Sequence, residues 1–256
     1  MCTLIALHRC YPTAHLLVAA NRDEFLARPA SGPRVHEWGG RRVIAPVDER
    51  AGGTWLGLND AGVFVALTNR PTAAPDATRR SRGLVVADAL GRASATRAAE
   101  AALQLAPGAY NPFNLFVADA EHAFAIVYEE KPRVRVLAPG AHVIGSADPN
   151  DAAVPKIARL LGEAERVAAG PEASALDALS ELCRSHDARN DNALERTCIH
   201  HGEYGTRSST LLRRGPDRER DVFRFAGGAP CQTSYQDFTP LLRELDGAAL
   251  NFPTTR

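Results

Sequence analysis

Apolar positions along the chain follow two different periods. Near the start, Cys2–His8 and His15–Asn21 are apolar runs of strand type, separated by Arg9–Ala14, whose Pro12 suits a turn. Thr54–Leu58 and Val63–Thr68 flank Asn59-Asp60-Ala61-Gly62, a hairpin turn sequence. The period then changes. Leu84–Leu90 and Ala95–Leu105 carry Ala and Leu at helical spacing, and Pro107-Gly108 ends the second. Short strands are predicted at Asn114–Ala118, Ala123–Tyr128, Val134–Leu137 and His142–Ile144. Val154–Ala168 and Ala173–Arg184 read as helices divided by Gly170-Pro171. Strands at Thr197–His200, Arg207–Arg213 and Val222–Phe225 complete the pattern, the last two joined by the charged loop Arg214–Asp221.

Strands therefore come in runs, with helices in pairs between the runs. This is not the alternation that builds a parallel sheet; it fits antiparallel sheets covered by helices. The reading is an α+β fold, a four-layer αββα sandwich of antiparallel sheets. Pro71–Pro75 is too short for a linker and no repeat is evident, so residues 1–256 are expected to form one domain.

Composition narrows the function. Thirty Lys+Arg balance thirty Asp+Glu, which removes the electrostatic reason to expect nucleic acid or an anionic membrane as partner. Only Lys131 and Lys156 are lysines, and neither lies in a GxxxxGK[ST] loop, so P-loop hydrolysis is excluded. GxGxxG and GxSxG are absent as well. The five cysteines form no CxxC or CxxCH, which argues against a disulfide framework, a zinc ribbon or covalent haem. His200 and His201 are adjacent, so on a strand they point to opposite faces and make a poor chelate; no metal site is expected. The opening apolar run Leu4–Leu7 is too short for a signal segment, and no window approaches the ~18–20 apolar residues of a membrane span. A cytoplasmic location with free thiols is expected.

Four features could carry chemistry. If Met1 is removed, Cys2 holds a thiol and a free α-amine on one residue. With unperturbed pKa values of about 8.5 and 7.7–8.0, the amine can take the thiol proton. Cys2 also fits a small apolar residue at a strand start. Asn21-Arg22-Asp23-Glu24 follows an apolar strand; it fits a solvated turn, or a cluster brought beside Cys2 by antiparallel pairing. In the second case Asp23 orients the N-terminal ammonium and Arg22 lowers the thiol pKa. Asn69, at a strand end, fits either a turn or a donor to a developing oxyanion. Tyr204 to Thr210 opens a late strand; its hydroxyls either decorate an edge or accompany Arg207, which can bind a carboxylate or phosphate bidentately.

Taken together, Met1-Cys2-Thr3 and Asn21-Arg22-Asp23-Glu24 resemble the NRDE family, the transport and Golgi organisation family. Further matching stretches are Gly52-Gly53-Thr54-Trp55-Leu56-Gly57, Leu67-Thr68-Asn69-Arg70, Ser81-Arg82-Gly83, Tyr110 to Phe116 and Tyr204 to Thr210. The resemblance implies an N-terminal-nucleophile (Ntn) hydrolase-type fold, more distantly similar to penicillin V acylases and bile salt hydrolases. It implies Cys2 as nucleophile, Asp23 as partner of its amine, Arg22 as a nearby charge, Asn69 at the oxyanion position and Arg207 as a further site residue. The expected function is cleavage of a small amide or thioester acyl substrate without a cofactor. The alternative implied by the family is a non-catalytic haem-handling protein, with haem as ligand. One stretch departs from the family: Gly145-Ser146-Ala147-Asp148 stands where an oxyanion asparagine is usual. Losing one such donor costs about 10²–10³ in rate, unless Ser146 substitutes.

Overall fold

A computed structural model describes residues 2–188 and 192–247. The strands are β1 (Thr3–Tyr11), β2 (Ala14–Phe25), β3 (Ala30–Trp38), β4 (Arg41–Asp48), β5 (Leu56–Asn59) and β6 (Phe64–Asn69). Helices α1 (Arg82–Leu90) and α2 (Ala95–Leu103) follow, then β7 (Phe113–Ala118), β8 (Ala123–Tyr128), β9 (Pro132–Leu137) and β10 (Gly140–Ile144). The chain continues through α3 (Pro155–Ala169), α4 (Glu172–Arg184), β11 (His200–His201), β12 (Tyr204–Arg214), β13 (Val222–Ala226), β14 (Gln236–Asp237) and α5 (Thr239–Gly247).

Two seven-stranded sheets result. One runs β10-β1-β2-β12-β13-β14 with β11 paired to β12; the other runs β3-β4-β5-β6-β7-β8-β9. Every pairing is antiparallel. Strand alternation divides the apolar residues into three cores. Leu4, Val18, Phe64, Phe116 and Leu212 fill the space between the sheets. Val65, Leu115 and Ile126 point outward onto Val86, Leu90 and Ala98 of α1 and α2. Ile5, Leu17 and Ala19 point the other way onto Ile157, Leu160 and Leu179 of α3 and α4. The order helix, sheet, sheet, helix is the expected αββα sandwich, and α5 closes one end through Leu242 and Leu245. No helix of the described residues is long and apolar enough to cross a membrane.

Several local features differ from the sequence reading, among them β14, which is additional, and β11, which begins at His200 rather than Thr197. The hairpin β3–β4 is additional; its turn is Gly39-Gly40, both with positive φ (58° and 74°), as a tight hairpin turn requires. The helix α5 is also additional. Most important for the site, Asn21-Arg22-Asp23-Glu24 does not follow the strand but lies inside β2, which runs on to Phe25. The reason is β12: Asn21, Arg22, Asp23 and Glu24 pair with Ser209, Ser208, Thr206 and Gly205, so their backbone groups stay in the ladder.

Candidate active site

Thr3 pairs with Asn21 across β1 and β2. Extending that register sets Cys2 opposite Arg22, and alternation turns both toward the space between the sheets. Asn21 and Asp23 then face α3 and α4. One tetrapeptide thus serves two faces of the sheet.

Cys2 is buried at 9 % exposure, and its thiol donates to the Asp23 carbonyl oxygen at 3.9 Å. Burial pushes its pKa up, while the Arg22 guanidinium acts in the opposite direction. Arg22 is 5 % exposed, and a buried guanidinium without partners would cost several kcal/mol. Its Nη2 donates to Asp48 Oδ2 at 3.3 Å, and its carbon lies 4.2 Å from the Trp55 ring centre, a cation–π contact that offsets part of that cost. Nη1 is buried with no hydrogen-bond partner.

Asp23 Oδ1 accepts from the Thr206 hydroxyl at 2.7 Å, and Thr206 Oγ1 in turn accepts from the Ile199 amide at 2.9 Å. Burial raises the Asp23 pKa, with the Lys156 ammonium acting against it. Burial lowers the Lys156 pKa, and Asp23 works the other way. Lys156 lines a small cavity beside Cys2 together with Ser146. It was not among the expected site residues; its only signal in the sequence was the scarcity of lysine. Asn21 is structural: its amide donates to the carbonyls of Cys183 (2.8 Å) and Thr197 (2.9 Å), tying β2 to the end of α4.

A cleft of about 380 Å³ opens above Cys2, and Arg22, Asp23 and Asn69 line it as well. Asn69 ends β6 on the opposite sheet, so the cleft lies between the sheets' ends. Arg207 does not line this cleft. It is the extra residue of a β-bulge between Thr206 and Ser208, and it lies in a separate recess behind Arg22 and Trp55. Its Nη1 donates to the Gly227 carbonyl at 3.2 Å. The departing stretch is also occupied. Gly145 O accepts from Thr68 Oγ1 and Asn114 Nδ2, and Asp148 pairs with Arg70 at 2.8 Å, leaving Ser146 near Cys2.

Six arginines against four carboxylates line the cleft, and among the described residues its lining contains no His or Tyr. Arg82 is half-buried, donates to the Pro112 carbonyl at 3.1 Å and makes no ion pair among the described residues. Behind the lining residues Thr54 and Gly83 lies Gly53, whose φ is +80° and whose added Cβ would sit 2.6 Å from the Gly83 carbonyl carbon. This close backbone crossing is held by Thr54 N donating to Gly83 O at 3.2 Å. Gly53→Ala is therefore expected to cost about 2–4 kcal/mol from left-handed strain plus overpacking. Urea unfolding measures this; a loss below 0.5 kcal/mol (about the scatter of surface changes) would show that the crossing relaxes freely.

The sequence pattern of the Transport and Golgi organisation 2 family matches residues 1–223. The chain belongs to this family. A Transport and Golgi organization protein 2 homolog from Bos taurus is 29 % identical over 235 residues, covering 77 % of this chain and 81 % of that one. Among solved structures, an N-acylethanolamine-hydrolyzing acid amidase ortholog from Caenorhabditis elegans superposes with a TM-score of 0.61 at 14 % identity, covering 90 % of this chain and 97 % of its own. A conjugated bile acid hydrolase from Clostridium perfringens gives 0.56 at 14 %, covering 96 % and 94 %. These likenesses show that this Transport and Golgi organisation 2 family member has the Ntn-hydrolase fold.

Proposed function

We propose that the cleft is a cysteine-type N-terminal-nucleophile site that cleaves an amide or thioester bond of an acyl substrate bearing an anionic group. The observation that carries this reading is the convergence of Cys2, Arg22, Asp23 and Asn69 on one cleft from two sheets. Met1 lies outside the described residues; the proposal requires its removal, because an acylated amine cannot act as base. The freed α-amine takes the Cys2 proton, and the sulfur attacks the substrate carbonyl carbon. The negative charge moves to the carbonyl oxygen beside Asn69, where a donor stabilises it. Collapse breaks the bond to the leaving amine or thiol, which takes the proton from the ammonium. Water then attacks the thioester on Cys2, the amine accepts its proton, and the acid departs with the thiol restored. Asp23 holds the ammonium between these steps. The anionic specificity rests on the excess of arginine, the unpartnered Arg22 Nη1 and the unpaired Arg82.

Processed protein is incubated with a series of acyl thioesters and N-acyl amides, with and without a terminal carboxylate, then acid-quenched and weighed. A mass gain equal to the acyl group, mapped to the Cys2 peptide and favoured by the carboxylate, is the expected result. Absence of Cys2 acylation across the series, in protein shown to begin at Cys2, overturns the reading.

The haem alternative meets a chemical limit in this cleft. Among its described lining residues only the Cys2 sulfur is a common axial haem ligand. Titration with haem is accordingly expected to produce no stoichiometric Soret shift. A sharp 1:1 Soret transition lost on Cys2→Ala would instead assign the cleft to haem.

A further inference from the structure

A second group of chemically active side chains lies away from the cleft. His186 follows α4, Cys198 and His200 lie on the approach to and start of β11, and Cys231 follows β13. Their ligand atoms all lie within 4.8 Å of one another. Cys198 Sγ is 3.4 Å from Cys231 Sγ and 3.8 Å from His200 Nε2, and His200 Nε2 is 3.1 Å from Cys231 Sγ. Zn–S and Zn–N bonds of about 2.3 and 2.0–2.1 Å, set tetrahedrally, place neighbouring donor atoms about 3.3–3.8 Å apart. The observed spacings bracket that range.

We propose that His186, Cys198, His200 and Cys231 form a closed, tetrahedral Cys2His2 site for zinc. Two sulfur and two imidazole donors are the set that soft-to-borderline divalent metals select over Mg²⁺ or Ca²⁺. Loading releases one proton from each thiol, so two thiolates balance the 2+ charge and the site is neutral where Cys198 is fully buried. With four protein ligands no position remains open for substrate, which makes the ion structural. The sequence reading expects no metal site, because adjacent His200 and His201 cannot chelate one ion together; the proposal departs from that expectation through a different pair. The relevant pair is Cys198 and His200, two apart, whose Sγ and Nε2 lie 3.8 Å from each other.

The site also has a place in the architecture. The Cys198 amide donates to Ser185 O at 2.9 Å, beside His186. The next residue, Ile199, gives its amide to Thr206 Oγ1, which donates to Asp23. Zinc here would fix α4's end, the β11–β12 hairpin and the segment after β13 to one another. It would thereby act as a positioning element for the carboxylate of Asp23.

Full-length protein, expressed with zinc in the medium and purified without a metal-affinity tag, is analysed by elemental mass spectrometry. About one zinc per chain is expected. Cys198→Ser and His200→Gln lose it, while His201→Gln keeps it. His200 is exposed, so His200→Gln tests ligation in a folded protein even if Cys198→Ser fails to fold. Cobalt exchanged for zinc is expected to give the intense visible bands of tetrahedral thiolate coordination, absent in His200→Gln. Three results overturn the proposal: substoichiometric zinc that cobalt cannot replace, zinc retained in His200→Gln, or Cys198 and Cys231 recovered as a disulfide.

Discussion

Cys2→Ala is expected to lower turnover of the best acyl substrate by at least ~10³-fold while leaving the thermal midpoint nearly unchanged, because removal of a nucleophile takes away the covalent route and little packing. Cys2 is small, and the thiol's hydrogen bond to the Asp23 carbonyl is long, at 3.9 Å. The burial that pushes its pKa up means that Arg22 alone does not supply a thiolate at neutral pH. A local base is required, and the α-amine of processed Cys2 provides one with a pKa of about 7.7–8.0. Activity should therefore rise with pH as that amine loses its proton. Protein carrying extra residues before Cys2 should be as inactive as Cys2→Ala. The same comparison separates the thiols by alkylation. Cys183 is pushed up to about 12 by burial, so with limiting iodoacetamide near pH 7 Cys2 of processed protein should label ahead of it. Unchanged turnover in Cys2→Ala, or full activity with an extended N-terminus, would remove the hydrolase assignment.

Much of the fold is legible in the sequence because burial imposes a period. The outward-facing residues of β6, β7 and β8 and the Ala/Leu faces of α1 and α2 must meet in one core, so their spacing shows. The β3–β4 hairpin is concealed by its composition. Ala30–Trp38 and Arg41–Asp48 are interrupted by Pro33 and Pro46 and carry arginine, so apolar alternation is weak, although Gly39-Gly40 marks the turn. Cys2, Arg22 and Asp23 are legible as a cluster because the first hairpin brings near neighbours in sequence together. The division of labour within the tetrapeptide is not, since it depends on β12 holding Asn21 to Glu24 in a ladder. The place of Arg207 depends on a one-residue bulge, which turns a strand residue away from its expected position without any local signature. Lys156 and the four metal-ligand candidates lie far apart in the chain or in unremarkable surroundings. Their proximity comes from tertiary packing, which a residue pattern does not encode.

Asp23→Asn is expected to reduce kcat/KM by about 10²–10⁴, the range lost when a carboxylate that orients a catalytic base becomes an amide. The substitution is nearly isosteric, and the amide oxygen can still accept from the Thr206 hydroxyl now 2.7 Å from Oδ1. The thermal midpoint should thus move by only a few degrees, corresponding to about 1 kcal/mol. Asp23→Ala should be worse for stability, because it strands the Thr206 hydroxyl in a buried position and leaves Lys156 without its opposite charge. The two roles of Asp23 separate on the pH axis. A carboxylate beside the α-ammonium raises the amine's pKa, so its neutralisation should move the rising limb of kcat/KM toward lower pH. A purely structural Asp23 predicts the opposite set of results: activity that falls in proportion to lost folded protein, a midpoint of the pH profile that stays in place, and Asp23→Ala differing from Asp23→Asn only in stability.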